Sequence, residues 1–298
     1  MLTYRSFHFS ILSQIGLGLI SFFTSAQNIY RYPTSVSQYL NSYILVNPAS
    51  GGLRSKAELS FGNQEYIGPL RRVKNYYVYV GIRTNKAENT KKSVLAFFAS
   101  NEKDGDYINR SRVYLNYAWH TQLSDNLWIG AGAFAGFINY TFDGTTSTGG
   151  GSDFRPDGSL GILLHNDDLH IGLSVNQILN SRLKPLIAQY TFPVYYNFTF
   201  NKNIELSPHF KLKPSSLITL KPSEKLVDYN VGFLTTIDDK VVFGTNYKHQ
   251  AVVSFLVGVQ NIEFDLHSFS LNISYNRPIG QYSVVQSVEL VFGYNYSF

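Results

Sequence analysis

Segments in which every second side chain is apolar, with small or polar residues between, recur along this chain, and a period of two is the signature of a β-strand. Val113, Leu115, Tyr117 and Trp119 alternate with Arg112, Tyr114, Asn116 and His120. Ile171, Leu173 and Val175 alternate with His170, Gly172, Ser174 and Asn176, and Phe269, Leu271, Ile273 and Tyr275 with Ser270, Asn272, Ser274 and Asn276. The last such segment places Val288, Leu290, Phe292, Tyr294, Tyr296 and Phe298 on one face. An unpaired apolar strand invites edge-to-edge association, and a sheet removes that hazard by closing so that its last strand pairs with its first.

The pattern predicts strands over 52–62, 75–84, 92–100, 111–123, 126–142, 154–164, 168–176, 191–201, 203–213, 228–237, 240–248, 251–260, 267–276 and 286–298. The spacing, about nineteen residues per strand plus connection, suits tilted strands that cross a bilayer. Connection lengths point the same way. Ser124-Asp125, Asn166-Asp167, Asn201-Lys202 and Asp238-Asp239 are short turn formers, whereas GTTSTGGGSD, QILNSRLKPLIAQ, KPSSLITLKPSEKL and RPIGQYSVV are longer; Lys248 to Gln250, at the place of a long loop, is the short exception. Outer-membrane barrels alternate in this way, with tight turns in the periplasm and long loops outside. The expected fold is therefore all-β, a transmembrane antiparallel up-and-down β-barrel of about 14 strands.

The opening stretch carries Arg5, an interrupted apolar run and Thr24-Ser25-Ala26 before Gln27, which reads as a cleaved signal peptide over residues 1–26. Residues 27–51 are then expected as a periplasmic segment and 52–298 as the barrel. Pro48 fixes its own backbone and extends Asn47, Ala49 and Ser50 are small, and Gly51-Gly52 permits a sharp redirection into the first strand. This elbow, with Gln38, Tyr39 and Asn41 ahead of it, is a candidate docking site.

Chemistry-bearing constellations are sparse. With no cysteine, thiolate metal and redox sites and a disulfide framework are excluded. His120, His165, His170, His209, His249 and His267 are scattered without ligand spacing; His120, His170 and His209 read as lumen-facing, hydrogen-bonded residues. No nucleophile, base and orienting group fall in a recognisable pattern, so no catalytic site, metal or cofactor is expected. Lys and Arg are dispersed and the net charge is only +5, which argues against nucleic acid as a partner. The inward set Arg112, Asn116, His170, Asn197, Thr199, Glu205, Lys211, Asn230, Asn246, Asn272 and Glu289 mixes both signs and fits a filled interior or a channel.

The run Ser37-Gln38-Tyr39-Leu40-Asn41 and the block Asn47-Pro48-Ala49-Ser50-Gly51-Gly52 resemble the opening of the PorP/SprF family of outer-membrane proteins, which serve the type IX secretion system of Bacteroidetes. The likeness continues through Gln64-Glu65-Tyr66-Ile67-Gly68, Tyr117-Ala118-Trp119-His120, Arg155-Pro156-Asp157, Gly172-Leu173-Ser174-Val175-Asn176 and Ser274-Tyr275-Asn276. It implies a non-enzymatic barrel in the secretion and gliding machinery. Implied partners are periplasmic ring or peptidoglycan-linked proteins, secreted adhesin-type cargo and outer-membrane lipid. The ending Gly293-x-x-Tyr296-x-Phe298 resembles the signal that such barrels present to the barrel assembly machinery. The alternative function is a porin-like solute channel.

Overall fold

The computed structural model describes residues 37–40, 42–53, 55–84, 90–144, 149–186, 189–249, 252–279 and 286–297. The expected signal peptide lies outside them. Fourteen antiparallel strands close into one barrel. They are β1 Ala57–Ile67, β2 Lys74–Arg83, β3 Lys91–Asp104, β4 Ile108–Ser124, β5 Leu127–Phe142, β6 Gly151–His165 and β7 Leu169–Asn176. There follow β8, in two pieces Tyr195–Lys202 and Ile204–Ser207, then β9 Phe210–Lys221, β10 Leu226–Ile237, β11 Val241–Lys248, β12 Val252–Phe264, β13 His267–Pro278 and β14 Gln286–Tyr296. Each strand pairs with its neighbours in sequence, and β14 returns to β1 in a seam running from Ala57↔Tyr296 to Ile67↔Gln286. The even strand number puts the start of β1 and the end of β14 at one mouth, here called the terminal end; the opposite mouth is the distal end.

The alternation read from the sequence sorts inside from outside, in the reverse of the order a water-soluble domain uses. On β4, Asn116 and His120 are buried to 1% and 0% exposure while Leu115 is 63% exposed. Ile82, Leu95, Phe97, Val113, Phe137 and Leu160 continue the exposed apolar band around neighbouring strands. An outer face of this kind is stable only against hydrocarbon, and a closed sheet satisfies every backbone group that hydrocarbon cannot. No described helix is long and apolar enough to cross a membrane; the strands make the crossing.

Turn chemistry explains the tight connections at the terminal end. Asp238 and Asp239, between β10 and β11, and Asp265, between β12 and β13, have φ of 50°, 56° and 56°, the left-handed values that two-residue hairpins need and that Asp tolerates. At the distal end, residues 177–194 form the longest connection and carry a small hairpin in which Arg182–Leu183 pairs with Tyr190–Thr191. Ser181 Oγ donates to Pro156 O at 2.6 Å, and Leu183 and Phe192 are buried, so this loop folds onto the barrel.

Two expectations are corrected. The turn expected at Asn201-Lys202 is strand: β8 continues to Ser207, and the chain reverses at 208–209. The stretch expected as a loop after residue 213 is then the body of β9, connected to β10 by the short turn at 222–225. Pro214 misled the reading. It cannot donate to a ladder, and by register it falls opposite Lys202, in the unpaired gap between Asn201↔Ser215 and Ile204↔Leu212. The second correction concerns the N-terminal segment. Strand β1 begins at Ala57 rather than 52, and residues 39–40 and 42–53 lie inside the barrel instead of standing outside in the periplasm.

Candidate functional site: a plug seated on a glycine wall

A fourteen-stranded barrel is too wide for its own inward side chains to fill, and here the N-terminal segment supplies the missing volume. Three short 3-10 turns, Ser37–Leu40, Tyr43–Leu45 and Pro48–Ser50, keep it compact. Tyr39, Leu40 and Tyr43 pack with Leu217, Leu234, Val242 and Leu256 from β9 to β12. Ile44 joins a second apolar cluster with Tyr77, Tyr79, Phe98, Tyr114, Phe134 and Val291. Adjacent plug residues thus anchor two apolar clusters on different parts of the wall.

Polar contacts fix the plug's position. Asn47 caps the Pro48–Ser50 turn: its Oδ1 accepts from the Ala49 N–H at 2.9 Å, and its Nδ2 donates to the wall carbonyls of Ile162 at 2.9 Å and Leu173 at 3.4 Å. Asn116 Nδ2 donates to Pro48 O at 3.0 Å. Val46 O accepts from Ser174 Oγ at 2.6 Å and from Asn197 Nδ2 at 2.9 Å, and Thr219 Oγ1 donates to Asn197 Oδ1 at 2.8 Å, which orients that amide. Lys213 Nζ donates to Leu40 O at 3.2 Å, and Arg83 to Gly52 O at 3.2 Å. Each bond contributes about 1 kcal/mol net, but a buried carbonyl left without its donor costs about 1–3 kcal/mol, so the set behaves as a unit.

The wall makes room by omitting side chains. Inward-facing Gly132, Gly161 and Gly172 lie on β5, β6 and β7 beneath Asn47-Pro48-Ala49. A Cβ at Gly132 would stand 2.3 Å from Pro48 O, one at Gly161 2.1 Å from Asn47 Oδ1, and one at Gly172 2.6 Å from Asn47 Nδ2. Glycine weakens a strand unless something must approach its backbone closely. Here the plug does.

Beside the elbow, three strands bring together histidines that are far apart in sequence. His165 Nε2 lies 3.2 Å from His120 Nδ1, the rings of His165 and His170 are 5.7 Å apart, and His170 meets Tyr43 of the plug edge-on at 5.9 Å. Among the described residues no group of three or more His, Cys, Asp or Glu is arranged to hold a metal ion. Toward the distal end the lumen carries a charge cluster: Arg112 binds Glu102, Arg110 bridges Asp104 at 3.1 Å and Glu102 at 3.7 Å, and Tyr114 donates to Asp157 at 2.6 Å.

The residues proposed from sequence divide accordingly. Tyr39, Asn47, Pro48, Ala49, Gly51 and Gly52 are all buried in the plug. Gln38 falls in the first 3-10 turn, and Asn41 and Phe298 lie outside the described residues. Gly293 faces inward on β14, and Tyr296 ends that strand opposite Ala57. Of the inward set, Asn116, Asn197, Thr199, Asn230, Asn246, Asn272 and Glu289 are buried, whereas Glu205 is exposed; His209, read from sequence as lumen-facing, is instead exposed in the turn at 208–209. Sequence reasoning missed the glycine wall, Ser174 and the contact made by Asn197. Glycines at inward parity on three consecutive strands were the available signal.

A closed barrel with an apolar exterior, tight turns at one end and an internal plug defines an outer-membrane barrel, and solved structures bear out the fold. The chain is similar to CymD, a monoaromatic hydrocarbon channel, at 13% identity and a TM-score of 0.55, over 88% of this chain and 93% of that one. It is similar to the Ralstonia pickettii toluene transporter TbuX at 11% identity and 0.56, over 86% and 93%, and to the Pseudomonas putida toluene transporter TodX at 9% and 0.52, over 87% and 94%. The chain belongs to the family described as type IX secretion system membrane protein PorP/SprF, whose model matches residues 28–294. A search of curated protein sequences gave no match. The protein is an integral barrel of the bacterial outer membrane and a member of a secretion-system family.

Proposed function

We propose that this barrel is a non-enzymatic anchor or adaptor of type IX secretion, holding periplasmic components of the machine, and secreted surface proteins, at the outer membrane. The observation that carries this reading is the filled lumen. A segment held by wall carbonyls, fitted onto three glycines and wedged between two apolar clusters suits a protein that presents surfaces, not one that passes solutes. With the terminal end in the periplasm, the short turns carrying exposed Asp125, Asp167, Asp168, Asp238, Asp239 and Asp265 form the face offered to ring or peptidoglycan-linked partners, and the distal loops face cargo. The Gly293 and Tyr296 strand end is the part offered to the barrel assembly machinery. Deleting the gene should abolish or sharply reduce surface display of type IX cargo; normal display would overturn the proposal.

The second reading is a solute channel, favoured by the architecture shared with CymD, TbuX and TodX, which are described as a hydrocarbon channel and toluene transporters. Planar-bilayer recording separates the two: the intact adaptor conducts little, whereas a channel conducts without alteration of residues 37–53.

A further inference from the structure

The terminal mouth is not level. The β8–β9 hairpin projects further than the β6–β7 hairpin beside it: β7 starts at Leu169, paired with Lys202, and beyond that point β8 continues through Ile204–Ser207, held by β9. Among the described residues no strand lies along the other edge of this piece.

That edge presents backbone groups. The pairs Asn201↔Ser215 and Ile204↔Leu212 share one register, so the alternation of β8 runs unbroken between them. Asn203 turns its N–H toward β7 and donates to Asp168 O at 2.6 Å, while its Nδ2 donates to Asp167 O at 2.9 Å. Two residues further on, Glu205 aims its N–H and C=O the same way, past the end of β7. A strand edge in this state is a template for another strand.

The side chains are those of a surface that is covered. Lys202 is exposed on the outward face of β8 and marks where the lipid-facing band ends, because a charge there is costly within hydrocarbon. Ile204 and Leu206, the next outward positions, are nonetheless exposed, Leu206 to 62%, and Phe210 continues the apolar patch across the hairpin. The basic groups nearby are already engaged, Lys211 with Asp239 at 2.7 Å and His209 with Asp238 at 2.6 Å, whereas Glu205, Asp167 and Asp168 make no ion pair among the described residues. A complementary strand therefore carries apolar side chains on its outward face and basic ones beside the β6–β7 turn. A second copy of this chain does not fit. Barrels in one membrane share an orientation and would bring their β8 ends together in parallel, whereas a symmetric pairing of this edge with itself requires antiparallel strands.

We infer that the Ile204–Ser207 edge is the docking site for an extended segment of a periplasmic protein, which adds to β8 as an antiparallel strand and places basic side chains beside Asp167 and Asp168. The inference rests on the adaptor reading for the partner's compartment and on the edge itself for the partner's form.

The test uses the purified full-length barrel in detergent and a short peptide alternating Val and Lys. An alternating Val and Glu peptide, and the Val and Lys peptide with its backbone N-methylated along one edge, serve as controls. The Glu205 amide should exchange freely in the barrel alone and about tenfold or more slowly with the Val and Lys peptide, and neither control should slow it. Glu205→Pro removes an N–H that points away from the β9 ladder and should weaken binding about tenfold, the loss of one backbone bond and the stranding of its acceptor. Leu206→Lys, at an exposed position, should weaken it through charge repulsion and keeps the test interpretable if proline disturbs the hairpin. Absence of binding, a Glu205 amide already protected in the barrel alone, equal binding of the N-methylated peptide, or binding unchanged by both variants would overturn the inference. In cells both variants should reduce surface display of type IX cargo. Normal display in both, with display lost on gene deletion, overturns the docking edge and leaves the adaptor reading standing; normal display on deletion overturns the adaptor reading itself.

Discussion

The two sides of the lumen treat the same plug in opposite ways. The wall built from β4 to β8 grips it with amides and hydroxyls and gives up three side chains so that Asn47 and Pro48 can lie close against its backbone, whereas the wall of β1 and β12 to β14, apart from the apolar contacts of Leu256 and Val291, stands back behind serines and a cavity. The difference teaches that sealing and accessibility are assigned to separate strands. The polar grip on Val46 to Pro48 comes from β4 to β8, so the plug can be tightly held there while a cavity remains on the opposite side.

Removing the plug breaks the comparison altogether. Deletion of residues 37–52 should leave a folded but leaky barrel, with bilayer conductance about tenfold or more above that of the intact protein, because a barrel this wide carries water unless filled. Next in size is the glycine wall: Gly132→Val or Gly161→Val drives a side chain into Pro48 or Asn47, costs about 1–3 kcal/mol by overpacking, and should expose residues 37–53 to added protease. Asn47→Ala removes the turn cap and two bonds to the wall and should destabilise the plug by about 2 kcal/mol, read as a rise in open-pore events. On the opposite side, Gly293→Ala sharpens the contrast. Its Cβ would meet Ser270 Oγ at 2.5 Å, but that is the mobile end of a small side chain, so the change in thermal stability should stay below about 0.5 kcal/mol and conductance should not move. If Gly293→Ala opened the pore as readily as Gly161→Val, the division between the two walls would be wrong.

The strands were legible because their physics is local. Leu115 and Asn116 declare their faces by alternation alone, and Asp238-Asp239 declares its turn by chemistry. The boundary between β8 and β9 was hidden because Pro214 reads as a loop residue until the ladder with β8 is known to lapse opposite it, between Asn201 and Ile204. The plug was hidden for a different reason. Asn47 and Pro48 predict an elbow, but whether an elbow lies inside or outside a barrel depends on carbonyls and glycines far along the chain, from Gly132 to Leu173, and no short window contains both. The histidine group shows the same limit, since His120, His165 and His170 meet only through the pairing of β4 to β7.

The sequence separation of the plug's contacts has a consequence for biogenesis. Asn47 reaches its acceptors across 115 and 126 residues, Val46 its amide donor across 151, and Leu40 its lysine across 173. The earliest stretch of the described chain therefore has no finished surroundings until two thirds of the polypeptide has been laid down beside it. Contacts this remote form slowly, because a long loop must close before any of them is rewarded. Threading a stopper into a completed cylinder would demand a path past the charge cluster or the occupied mouth, so the order that costs least is for the hairpins to gather around the waiting segment and for the last strand to join the first only when it is already enclosed.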